Sequence, residues 1–114
     1  GGMRELRFLR TPTPFDAAGR HAAMLLGNER ANIAVVSTDL GGLFRAMFHL
    51  NAVGPAGIEL KNTLSREELL RLVQAKKWAL LIGPDALRLA PPKTVAPSGF
   101  AVVPSDAIQV PEAR

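Results

Sequence analysis

The chain has 114 residues, 47% of them hydrophobic and 21% charged, with a net charge of +4. That mixture describes one domain with a core of its own, and apolar runs such as Trp78 to Ile82 fall far short of the roughly 20 residues a membrane-spanning helix needs. Cysteine is absent, so disulfides, thiol catalysis and thiolate metal sites are excluded.

Arg4 to Arg10, RELRFLR, mixes basic and apolar positions and predicts a short strand at a sheet edge. Pro12 and Pro14 then require an extended loop, because proline has no N–H to give to a ladder. The segment from Phe15 to Asn28 has a helix start at Asp16, whose carboxylate can accept first-turn N–H groups. It has a stop at Gly27-Asn28, suited to a left-handed exit. Ala18, Ala22, Leu25 and Leu26 give the inward face, with His21 beside it.

Ile33 to Val36 is apolar without alternation, the pattern of a strand buried on both faces. The next segment reads two ways. Leu40, Leu43, Phe44, Met47 and Phe48 fit a helical template, with Asp39 as cap, and the helix is preferred. Phe44, Ala46, Phe48 and Leu50 also alternate with Arg45 and His49, as a strand following a DLGG hairpin turn would.

Ile58 to Asn62 reads as a short strand. Ser65 to Lys77 is the clearest helix: Ser65 and Glu68 have capping-box spacing, acids fill the first turn, and Lys76 and Lys77 close the last. Leu69, Leu72 and Val73 form its inward stripe. Trp78 to Ile82 is another continuous apolar strand, stopped by Gly83-Pro84-Asp85, and Ala86 to Pro92 reads as a last edge strand.

Continuous apolar strands alternating with amphipathic helices predict an α/β domain over residues 3–90, a small, about four-stranded, mostly parallel sheet with helices on its faces. Residues 91–114 read as a Pro-rich C-terminal tail or strap, from which Phe100–Val103 docks. Two alternatives are kept. One is an α+β domain with Leu43–Leu50 as a strand paired to Ile58–Lys61. The other is a winged helix with Ser65–Lys77 as recognition helix and Ala79–Leu89 as wing hairpin.

In a parallel sheet the strand-to-helix loops gather at one edge, where ligands of open α/β folds bind. Those loops hold Arg10, Thr13, Ser37, Thr38, Asp39, Gly41, Gly42, Lys61, Asn62 and Ser65. Two cations beside glycine-bearing helix starts suit a small anionic, phosphate-bearing ligand. The same residue types are also what any capped turn uses, and neither dinucleotide nor P-loop fingerprint is present.

No catalytic triad, paired metal-ligand spacing or cofactor motif appears, so no catalytic residue, metal or cofactor is assigned. The expectation is a non-enzymatic regulatory or protein-interaction module, cytoplasmic for want of a leader, meeting a partner through its tail or a sheet edge. A DNA-binding reading rests on Lys61, Arg66, Arg71, Lys76 and Lys77 against Glu67 and Glu68, but few aromatics accompany them. A magnesium-dependent phosphotransfer or hydrolase reading rests on Asp16, Asp39 and Asp85 meeting at one edge.

Overall fold

The computed structural model describes residues 13–51, 54–60, 66–94, 96 and 98–109. The expected strand at Arg4–Arg10 lies outside them, as do the site candidates Arg10, Lys61, Asn62 and Ser65.

The elements run α1 (Pro14–Leu26), β1 (Ile33–Ser37), α2 (Leu40–Leu50), β2 (Ala56–Glu59), α3 (Arg66–Gln74), β3 (Trp78–Ile82), a one-turn α4 (Pro84–Leu87) and β4 (Phe100–Pro104). The four strands form one sheet in the order β2-β1-β3-β4. β1 pairs in parallel with β2 and with β3, and β4 closes the far edge antiparallel to β3. The predicted small, mostly parallel α/β sheet is thus present.

β1 lies between two neighbours and under helices on both faces, so all five of its residues are buried. Alternate side chains serve different layers. Ile33 and Val35, with Leu80 and Ile82, pack against Ala18 and Ala22 of α1 and Leu43, Ala46 and Leu50 of α2. Ala34 and Val36, with Ala79 and Leu81, join Leu69 and Val73 of α3, Ala86 of α4, and Ala101 and Val103 of β4. The result is three layers. Of the described residues, no helix is long and apolar enough to cross a membrane.

Several local expectations need correction. The segment Leu40–Leu50 is helical, which removes the α+β alternative. Its start is held by Asp39, and Asn51 ends it in the left-handed region at φ 43°. Ala86 to Pro92 is not a strand. Gly83-Pro84 opens a helical turn there, because proline suits the first position of a helix, and the wing hairpin is therefore not formed. Leu25, expected inward, is exposed, since α1 meets the sheet through its small residues instead.

Asp16 is not the N-cap of α1. Thr13 takes that place with Pro14 as the first helical residue, and Asp16 completes a reciprocal capping box from the third position. Both residues are good caps, and the proline decides between them.

Candidate functional site

The C-terminal end of β1 leads through a tight turn into α2. Ser37 is buried, and its Oγ accepts the Asp39 N–H at 3.1 Å. Asp39 Oδ1 accepts the Gly42 N–H at 2.9 Å, while its backbone carbonyl accepts from Leu43 at 2.9 Å. Thr38 and Gly41 are exposed beside this turn. Gly42 is buried, and a Cβ there would meet the Phe15 ring at 2.4 Å. Glycine at 42 is therefore what lets α1 approach α2.

Of the predicted site residues, Ser37, Asp39 and Gly42 are joined by hydrogen bonds in this turn. Thr13 is engaged elsewhere, and its side chain and backbone N–H both donate to Asp16 Oδ2, at 2.8 and 2.9 Å. That carboxylate is the centre of the only long-range ion-paired cluster between α1 and α2 among the described residues. Arg45 Nε donates to Oδ2 at 2.8 Å, and His49 Nε2 donates to Oδ1 at 2.7 Å. An ionised carboxylate only accepts, so the His49 hydrogen on this side sits on Nε2.

Burial alone would raise the Asp16 pKa. Hydrogen bonds from His49, Thr13 and Arg45 outweigh it and hold the carboxyl well below the usual carboxylate range. The cluster therefore fixes a permanent negative charge under two cationic or polar side chains spaced i, i+4 on α2. Its chemistry is that of a helix clamp: it locks the register of α1 against α2 just where Gly19 crosses Ala46.

On the opposite side of α2 no such partner is found among the described residues. Leu40, Phe44 and Phe48, at i, i+4 and i+8, are 47%, 60% and 77% exposed. Gly42 and Ala46 face α1, and Leu43 and Leu50 face the sheet, so this row forms a third, outward side of the helix. Large apolar side chains scattered singly need no explanation, whereas these three stand in register on one helix. Sequence reading placed Leu40, Phe44 and Phe48 in the same apolar set as Leu43 and Met47. The available signal was its width: apolar residues occupy more of α2 than one sheet face can cover.

The aspartates do not meet. Asp16 is consumed by the clamp, Asp39 caps α2, and Asp85 lies 3.9 Å from Arg88. Among the described residues no group of three His, Asp or Glu side chains could hold a metal ion. On the basic segment, Lys76 donates to the Gly54 carbonyl and Lys77 lies 3.7 Å from Glu29. The site residues that sequence reading missed are Arg45 and His49, visible only as an i, i+4 polar pair inside an otherwise apolar helix. Comparison with family models, with curated proteins and with solved structures finds no significant match to this chain.

Proposed function

We propose that this domain is a non-enzymatic interaction module that docks a protein partner along the outer row of α2. The exposure of Leu40, Phe44 and Phe48 in helical register carries the reading. A row of this kind suits an amphipathic helix laid alongside it, with anchors at i, i+3 and i+4. Charge favours an acidic partner over a second copy of the chain. The helix α2 carries no acid, and the chain's net charge is +4.

An anionic ligand at the strand-end turn has less support. The Asp39 carboxylate already takes the Gly42 N–H and would repel an incoming anion.

The test is selection from a display library of acidic amphipathic helical peptides. Selected peptides are expected to lose about tenfold or more in affinity to a Phe44→Ser/Phe48→Ser variant, as for central aromatic anchors. An Arg88→Ala variant, altered on the opposite layer, should bind as wild type does. Equal binding to both variants would sink the proposal. Sedimentation equilibrium provides the second arm: a dimer dissolved by the same double substitution would replace the acidic partner with a second copy.

A further inference from the structure

The imidazole of His49 is engaged on one side only. Nε2 donates to Asp16 Oδ1 at 2.7 Å, whereas Nδ1 has no hydrogen-bond partner among the described residues. The buried side-chain nitrogens and oxygens left unpaired among those residues are Trp78 Nε1 and Ser105 Oγ, so Nδ1 of His49 is not buried and reaches solvent. With the hydrogen held on Nε2, the lone pair sits on Nδ1. A ring whose side chain is 23% exposed thus presents a nucleophilic nitrogen outward.

Its aim is fixed in advance. Asp16 is buried and takes both Thr13 hydrogens and that of Arg45 Nε on Oδ2, so the carboxylate has little freedom to turn. Phe48 meets the imidazole edge to face at 5.5 Å. A nucleophile already oriented loses less freedom on attack.

Charge then selects the reaction. When Nδ1 bonds to an electrophile, positive charge develops on the ring. Asp16 Oδ1 faces that charge through the Nε2 hydrogen, the arrangement by which a carboxylate stabilises an imidazolium. The ring also stands in the last turn of α2, where the helix dipole favours a cation. Arg45 is one turn earlier, and side chains spaced i, i+4 are neighbours. Its guanidinium offsets the Asp16 charge, so an incoming anion is not repelled as it would be at Asp39. A guanidinium beside the nucleophile suits a phosphoryl group over a neutral acyl group.

We propose that His49 is a phosphoryl-accepting residue, modified on Nδ1 by a phosphoramidate, with Asp16 as its positioning residue. The Nδ1 lone pair forms the new N–P bond while the donor's own P–N bond breaks, and the protonated amine leaves as ammonia with that electron pair. The Nε2 hydrogen stays on the ring, which then carries one positive charge opposite Asp16. Phosphoryl transfer here needs no partner on the outer row of α2.

The chain has two histidines, so His21 is an internal reference. It is exposed, lies against the Phe100 ring at 5.4 Å, and has no carboxylate partner among the described residues. Exposure alone would therefore put His21 first. The full chain is treated with potassium phosphoramidate near neutrality, and each histidine is followed by tandem mass spectrometry, with phosphorus–proton NMR identifying the nitrogen modified. His49 is expected to react about tenfold faster or more, on Nδ1, the worth of one charge-assisted hydrogen bond. The preference should vanish in denaturing urea. In Asp16→Asn, which keeps an acceptor and loses the charge, it should fall to near parity. Should that variant not fold, the wild-type comparison with and without urea still decides. Equal or faster reaction at His21, attachment to Nε2, a preference that survives urea, or a folded Asp16→Asn variant with the preference unchanged overturns the proposal.

Discussion

A Cβ built on Gly19 would lie 2.3 Å from the carbonyl oxygen of Ala46 and 3.0 Å from that residue's Cα. These are backbone atoms, which cannot rotate away. Gly19→Ala therefore requires α1 and α2 to separate by about 1 Å to restore an ordinary contact, and a gap of that size forfeits a quarter to a half of each dispersion contact it opens. The pairs affected include the clamp at Asp16 and the packing of Ala18, Ala22, Ala46 and Leu50. Overpacking of this type costs roughly 1–3 kcal/mol, and a backbone obstacle belongs at the upper end. Against it stands the ordinary gain of about 1 kcal/mol when alanine replaces glycine within a helix. The expected net is a loss of about 2 kcal/mol, near 8 °C in melting temperature for a domain of this size.

Gly41 is the control. It is exposed in the first turn of α2, and its built Cβ meets nothing closer than Asp39 Oδ1 at 3.5 Å. Gly41→Ala should therefore raise stability by roughly 0.5–1 kcal/mol. Urea unfolding followed by far-UV circular dichroism measures both variants against wild type. Two helical glycines changed to the same residue should move the midpoint in opposite directions. If Gly19→Ala is neutral or stabilising, the close crossing of α1 and α2 is not what the packing describes.

The Asp16 clamp predicts a pH signature. The folded-state pKa lies below the ordinary 3.8, so its contribution is complete above that value and is lost as pH falls through the folded pKa. Asp16→Asn should cost about 2 kcal/mol near neutrality, with Arg45 partly rescued by solvent, and the wild-type and variant midpoints should converge as the pH is taken below about 4. A gap that stays constant down to the lowest pH would refute the ionised clamp. For Asp39→Ala, loss of the cap on Gly42 should cost about 1 kcal/mol, read by thermal unfolding.

What was legible in the sequence follows from how local each signal is. The apolar blocks at Ile33–Val36 and Trp78–Ile82 announce strands covered on both faces, because only such strands dispense with alternation. The choice of helix for Leu40–Leu50 rests on the helical spacing of Leu40, Leu43, Phe44, Met47 and Phe48 and on Asp39 as cap, and Asp39 makes that bond. The short segment after Gly83 was misread because Leu87 and Leu89 alternate like a strand, while the proline at its start selects a helical turn.

The candidate site was harder to read. Ser37, Asp39 and Gly42 are neighbours in the chain, so their turn could be anticipated. The partners of Asp16 sit 29 and 33 residues away, and only the crossing of two helices brings them together. The outward turn of Leu40, Phe44 and Phe48 likewise depends on where α1 lies, which no single-helix pattern contains.

The order of the sheet also bears on biosynthesis. β3 is apolar throughout, and among the described residues its outer edge is covered by β4, which begins at residue 100. While the chain is being made, the three parallel strands can assemble before that cover exists. During this interval the backbone of Trp78–Ile82 presents open N–H and C=O groups on a greasy strand, the kind of edge that templates pairing between chains. A message cut short before Phe100 would leave that edge permanently bare. β4 is thus the seal that closes this edge once the chain has reached Pro104.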